Sequence, residues 1–260
     1  MQNAALEVLG LAGEWSYGAL DLNPAEFADR VRGLPEEGYV GVNVTIPHKR
    51  AALELSDRSS EAASEIGAAN TLSFADGVIQ AENTDATGLL TALPETPTGK
   101  AALVLGAGGS ARAAVWALAR QAASVSVWNR TPERAKELAD DVGGAAAEGR
   151  VATATEDGAR ARSFELIVNC TAVGMGEEDP FEQLPLDPER LGPGVTLIDL
   201  VYAGGESRLV GEARGRGADV VDGLEVLVQQ GAASLRLWTG MDPPLDVMRE
   251  AVRQDPGSDG

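Results

Sequence analysis

A chain of 260 residues is long enough to bury one large core or two smaller ones, and its 21 basic against 40 acidic side chains leave a net charge of −19. That charge repels phosphate backbones and anionic lipid heads, which excludes nucleic acid and membrane surfaces as expected partners. Hydrophobic residues make up 44% of the chain and aromatics only 4%, so the core is expected to be Ala, Val, Leu and Gly, in the manner of helices packed closely on a sheet.

Met1 to Leu9 reads as a helix, Trp15 to Leu20 as a strand, and Pro24 to Leu34 as a helix capped by Asn23. Val40 to Thr45 is a β-rich run that stops at Pro47 and delivers Lys49 onto the first turn of a helix predicted over Pro47 to Leu55. Ser60 to Ile66 is again helical, and Thr71 to Glu82, with Asp76-Gly77 at its middle, reads as a hairpin. Asp85 closes a short polar run ahead of a helix-like stretch, Ala86 to Leu93. Residues Pro94 to Lys100 concentrate turn formers and read as an inter-domain crossing. After it come short apolar strands alternating with helices: Ala101 to Leu105, Ala111 to Ala119, Ser124 to Trp128, Pro132 to Asp141, Leu166 to Cys170, Val195 to Asp199 and Val220 to Val221. That alternation implies an α/β fold with a parallel sheet covered on both faces. Leu224, Leu227, Val228, Gly231, Leu235 and Trp238 then mark one face of an amphipathic helix ending at Gly240, and Asp255 to Gly260 reads as a tail.

Lys49 and Asp85 both fall at strand-to-helix corners, where clefts are built, and an amine and a carboxyl group in one cleft can share and pass a proton. Taken singly, an exposed lysine and a helix-capping aspartate account for the two equally well. Only Lys49, Lys100 and Lys136 are lysines, arginine supplying the other cations, so Lys49 looks selected for a titratable amine rather than for charge alone.

The predicted strand Ala101 to Leu105 runs straight into Gly106-Ala107-Gly108-Gly109-Ser110-Ala111 and a helix. Glycines there let the backbone turn and approach a pyrophosphate, whose charge the amides of the helix N-terminus bind; a purely structural glycine turn is the alternative. At the end of the next strand, where an NAD enzyme would place an acid, the chain has Asn129-Arg130-Thr131. Arg130 and Arg134 offer two guanidinium groups to a 2′-phosphate, which favours NADP as cofactor, while Thr131 also suits an N-cap before Pro132. The single cysteine, Cys170, permits no internal disulfide, and no signal peptide or membrane span is visible, so a reducing cytoplasm is the expected location. With one histidine, His48, and no ligand-spaced cluster, no metal is expected.

Six motifs stand in a fixed order: Asn-Val-Thr-Ile-Pro-His-Lys at 43 to 49, Ala-Asn-Thr at 69 to 71, Asn-Thr-Asp-Ala-Thr-Gly at 83 to 88, Gly-Ala-Gly-Gly-Ser-Ala at 106 to 111, Asn-Arg-Thr at 129 to 131 and Gln-Gln-Gly-Ala at 229 to 232. Together they resemble the shikimate dehydrogenase family from Met1 to about Val252. The resemblance implies an N-terminal α/β substrate domain over 1–93, a Rossmann-type NADP-binding domain over 98–222, and C-terminal helices over 223–254 that return to the first domain. It implies reversible reduction of 3-dehydroshikimate by NADPH in aromatic amino-acid biosynthesis, with Lys49 as proton donor and acceptor and Asp85 beside it. Thr45, Asn70, Asp85 and Gln230 match the ligands of the substrate hydroxyls and Tyr202 the substrate-side tyrosine. The Asn129-Arg130-Thr131 loop serves the cofactor in the same way, and Leu200 and Gly223 match positions that face the nicotinamide.

The family begins with a strand and Ser-Leu-Ser-Pro ahead of the helix in which this chain opens, so that strand and the two carboxylate-binding serines are expected to be missing, or to lie upstream of an internal start at Met1. Tyr202-Ala203-Gly204-Gly205 also departs from the family's Tyr-Asn-Pro. The expected partner is a small-molecule substrate, with monomer and homodimer both open. Quinate or another shikimate-like acid is an alternative substrate, and a nucleotide-binding protein with impaired catalysis an alternative class. The Rossmann domain of a glutamyl-tRNA reductase would share the glycine loop, but leaves Asn43 to Lys49 unexplained and suits so acidic a surface badly.

Overall fold

Alternation between β-branched runs and helical spacing gives the chain its layers. A computed structural model describes residues 1–122, 124–142, 149–176, 178–201 and 206–254. They fall into two units, Met1–Gly88 with Leu227–Gly260, and Leu89–Val226.

The first unit opens with α1 (Gln2–Val8), α2 (Phe27–Gly33), β1 (Gly41–Asn43), α3 (Lys49–Leu55), β2 (Arg58–Ser59), α4 (Glu61–Ile66), β3 (Thr71–Ala75), β4 (Val78–Glu82) and α5 (Thr84–Ala92). Its four strands lie in the order β1-β3-β4-β2, antiparallel except for β2 beside β4. The β3–β4 hairpin turns through Asp76 at φ 52° and Gly77 at φ 72°, the left-handed pair that a two-residue connection requires. Ser60 caps α4 by accepting from the Ala63 amide at 3.1 Å. Phe27, Val31, Leu34, Leu55, Leu72 and Ile79 fill the core between helices and sheet.

Trp15 to Leu20 forms no strand: the segment is irregular and largely exposed. Alternation alone does not make a strand without a neighbouring ladder; instead the Asn3 side chain bonds the backbone of Tyr17 on both sides, accepting from its N–H at 2.8 Å and donating to its carbonyl at 2.9 Å. The second helix begins at Phe27 rather than Pro24, because Asn23 Oδ1 takes the amides of Ala25 and Glu26 into a separate turn first.

The second unit holds β5 (Ala101–Leu105), α6 (Gly109–Ala119), β6 (Ser124–Trp128), α7 (Pro132–Val142), β7 (Val151–Thr153), α8 (Glu156–Ala161), β8 (Leu166–Asn169), α9 (Pro180–Gln183), β9 (Thr196–Asp199), α10 (Arg208–Gly215) and β10 (Asp219–Asp222). All six strands are parallel, in the order β10-β9-β8-β5-β6-β7. That is a doubly wound sheet whose connections reverse between β5 and β8, where the carboxyl ends of the strands leave a crevice. Along β5, Ala102 and Val104 enter one core with Val115, Leu118 and Leu138, while Leu103 and Leu105 enter the other with Leu184, Leu197 and Leu209. Both faces of the sheet are thus covered, which is why the strand reads as an unbroken apolar run. Residues 94–100 hold no helix or strand, yet the division falls earlier, after Gly88, because Leu89 is buried in the core of the second unit with Leu90 and Leu93 packed against it.

The chain then runs through α11 (Gly223–Thr239), stopped by Gly240 at φ 69°, and α12 (Leu245–Gln254), which packs on α1 within the first unit. Among the described residues no helix is long and apolar enough to cross a membrane.

Candidate active site

Lys49 is the first residue of α3 and Asp85 the second of α5. Their side chains meet at 2.8 Å, Nζ to Oδ2, and are 12% and 18% exposed, enclosed enough to strengthen the ion pair yet open to a ligand. The other carboxylate oxygen of Asp85 accepts from Asn70 Nδ2 at 2.8 Å. The same Asn70 amide lies 3.1 Å from Gln230 Oε1 on α11, and Asn70 Oδ1 accepts from the Thr84 amide at 2.7 Å. Four of the residues singled out in the sequence, Lys49, Asn70, Asp85 and Gln230, therefore form one bonded set within the first unit. Thr45 lies just ahead of them on the exposed loop before α3, where its carbonyl accepts from the His48 amide. Tyr202 lies outside the described residues.

Beneath this set is a second polar layer that spacing did not disclose. Ser234 Oγ lies 2.8 Å from Thr71 Oγ1, 3.1 Å from Thr84 Oγ1 and 2.8 Å from Asn43 Nδ2. Asn43 in turn accepts from the Tyr17 hydroxyl at 3.0 Å. Thr71, Thr84 and Ser234 are buried, so each hydroxyl must find its partner inside the protein, and each does. Ser234 falls one helical turn after Gln230 on α11, the one sequence signal that could have found it. His48 stands apart: its ring stacks on Phe27 at 4.4 Å and its Nε2 bonds the Leu22 carbonyl at 2.9 Å.

In the second unit, Gly106 ends β5 with its amide on the Trp128 carbonyl at 2.8 Å and its φ at 107°; a Cβ there would lie 3.1 Å from the Cys170 carbonyl oxygen. Glycine lets the turn form and lets β5 and β8 approach at the switch point. Gly108 occupies the N-cap of α6 with no side-chain cap, a Cβ there would meet nothing within 4 Å, and Ala107, Gly109 and Ser110 complete the turn. The positive end of this eleven-residue helix thus has no side-chain cap and open space beside Gly108. Beyond β6, Asn129 Nδ2 donates to the Thr131 carbonyl at 2.9 Å and so shapes the corner. Arg130 and Arg134 are exposed there, and neither enters an ion pair among the described residues. Leu200 and Gly223 are brought together, since a Cβ on Gly223 would lie 2.9 Å from the Leu200 carbonyl.

A further cluster sits at the carboxyl ends of β8 and β9. Asp199, fully buried, accepts from Asn169 Nδ2 at 2.9 Å, from the Val201 amide at 3.2 Å and from Ser207 Oγ at 2.6 Å. Burial pushes its carboxyl above the ordinary value, against the lowering pull of these hydrogen bonds.

Comparison with known proteins places this geometry. The model of the shikimate dehydrogenase substrate binding domain matches residues 1–72, that of shikimate / quinate 5-dehydrogenase residues 91–174, and that of the shikimate 5′-dehydrogenase C-terminal domain residues 223–253. The shikimate dehydrogenase (NADP(+)) of Geobacter metallireducens is 42% identical, over 97% of this chain and 90% of its own, and that of Rubrobacter xylanophilus 42%, over 97% and 89%. The crystal structure of the Thermus thermophilus shikimate 5-dehydrogenase in complex with NADP(H) and shikimate superposes with a TM-score of 0.84 at 39% identity, covering 97% of this chain and 92% of that one. With three family models in register along its length and relatives of this identity covered almost end to end, the chain belongs to the shikimate dehydrogenase family.

Proposed function

We propose that this protein is the NADP-dependent oxidoreductase that interconverts 3-dehydroshikimate and shikimate on the route to the aromatic amino acids. The observation that carries the reading is the bonded set Lys49–Asp85–Asn70, lying in a family whose relatives carry that activity in their names. Shikimate offers a carboxylate and ring hydroxyls, so its pocket needs hydrogen-bonding groups held at fixed angles. Asn70, Asp85 and Gln230 are fixed by one another, with Thr45 on the neighbouring loop as a further ligand. The layer of Thr71, Thr84 and Ser234 locks them from below, so little freedom is lost on binding.

As the carbonyl carbon is reduced, negative charge grows on its oxygen and a proton must be supplied there. Lys49 Nζ gives that proton and, in the oxidative direction, takes it back. Asp85 aims the amine through Oδ2 and is itself held by Asn70 through Oδ1. His48 takes no part, being committed to Leu22 and Phe27.

NADP fits the second unit: the open space at Gly108 and the helix start without a side-chain cap suit a pyrophosphate held by Gly106, Ala107, Gly108, Gly109 and Ser110, and the two exposed arginines, without ion partners among the described residues, suit a 2′-phosphate beside Asn129 and Thr131. Leu200 and Gly223 would line the nicotinamide. When bound, this cofactor supplies or accepts the hydride.

The test is a steady-state assay of the purified protein with shikimate and with quinate, each with NADP and with NAD. Shikimate with NADP is expected to give the highest kcat/KM. A preference for quinate would overturn the substrate; NADPH binding with neither acid oxidised would overturn the enzyme and leave a nucleotide-binding protein.

A further inference from the structure

We propose that Asp199 is a positioning residue for the nicotinamide end of the cofactor site, its carboxylate gathering three separate segments at the carboxyl edge of the sheet. This rests on the reading above that the second unit holds NADP.

One oxygen of Asp199 takes Asn169 and the Val201 amide, and the other takes Ser207. Each partner commands a different piece of chain. Asn169 ends β8 and holds the following turn, its Oδ1 accepting from the Thr171 amide at 3.1 Å and hydroxyl at 2.7 Å and its Nδ2 donating to the Val173 carbonyl at 3.0 Å. Val201 follows Leu200, whose carbonyl abuts Gly223. Ser207 caps α10, accepting from the Val210 amide at 3.2 Å. Gly174 closes over the cluster, a Cβ there lying 3.4 Å from Ser207 Cβ and 3.9 Å from Asp199 Oδ2.

Ser207 Oγ donates to Asp199 while accepting from the Val210 amide, and Asn169 Nδ2 and the Val201 amide are donors by nature. All three bonds thus require an acceptor on both carboxyl oxygens, which an amide cannot provide. No ion pair compensates Asp199 among the described residues, and a fully buried charge without a cation is costly to fold around. The carboxylate is therefore poorly explained as mere filling. It is well explained as the common fastening of the Thr171–Gly174 turn, the Leu200–Val201 backbone and the start of α10, at the edge where doubly wound sheets bind their ligands.

The test uses full-length Asp199→Asn, which keeps the shape but turns one acceptor into a donor, with Ser207→Ala as a milder cut of one arm. Expected in both is a fall in kcat for shikimate oxidation, at least about tenfold in Asp199→Asn, with KM for NADP within about twofold, because the phosphate grip lies elsewhere. The nicotinamide fluorescence of bound NADPH should depart from that of the wild type in the same variants. A lowered melting temperature with wild-type kcat and fluorescence would overturn the proposal, as would parallel collapse of kcat and NADP affinity. If Asp199→Asn fails to fold, Ser207→Ala decides on the same two readouts. Failure of the wild type itself to bind NADPH would instead sink the functional reading, and this inference with it.

Discussion

Asp85 is held by two of the residues singled out in the sequence, Lys49 through Oδ2 and Asn70 through Oδ1. Asp85 keeps Asn70 if the amine goes, whereas without the carboxylate Lys49 loses the bond that aims it. Lys49→Ala is expected to lower kcat by about 10² to 10⁴, the range of general acid–base catalysis, and Asp85→Asn by a similar factor, with NADPH affinity unchanged in a fluorescence titration. On the cofactor side, if Arg130 and Arg134 hold the 2′-phosphate as proposed, Arg130→Ser with Arg134→Ser would remove two charge-assisted bonds at about 1.5 to 3 kcal/mol each. KM for NADP should rise at least about tenfold while KM for NAD stays put, checked by paired assays. Asp199 gives a pH signature. Its carboxyl is raised in the folded state, so its contribution to stability is greatest below the ordinary 3.8 and is lost as pH rises through the raised value. Asp199→Asn has no such proton, so its stability deficit relative to the wild type should be largest in acid and narrow toward neutrality in denaturant melts.

At the scale of elements, α11 carries Gln230 into the bonded set and Ser234 into the layer below it. Ser234→Ala would strip a partner from Asn43, Thr71 and Thr84 at once, and is expected to cost about 1 to 3 kcal/mol in a urea melt. Much of this architecture was legible in the sequence: the apolar run of β5, the Asp76-Gly77 turn and the periodicity of α11 each follow from local rules that the surroundings reinforce. Trp15 to Leu20 obeyed the same rules and failed, since a strand also needs a neighbour. The short segments β7, α8, α9 and α10 left too few residues for any period to emerge. In the site, Lys49, Asn70, Asp85 and Gln230 were readable because ordered motifs fix them together. Asn43 with Ser234, 191 positions apart, and Asp199 with Asn169, 30 apart, were not, because no spacing rule spans a fold.

For the molecule as a whole, the net charge of −19 sets a background that opposes compaction. Raising sodium chloride from about 10 mM to about 0.5 M shortens the screening length from about 30 Å to a few ångström, and the melting temperature should rise across that range in a thermal scan; a flat response would show that the acidic groups are already neutralised pairwise. The first unit is drawn from two separated stretches, Met1–Gly88 and Leu227–Gly260, with its polar layer completed by residue 234. A ribosome building this protein releases Lys49 and Asp85 before the intervening unit, but Gln230 and Ser234, the partners that lock Asn70 and Thr84, emerge only after it. The intervening unit has all its strands by then, so a nascent chain would complete its parallel sheet before the polar set around Lys49 could close.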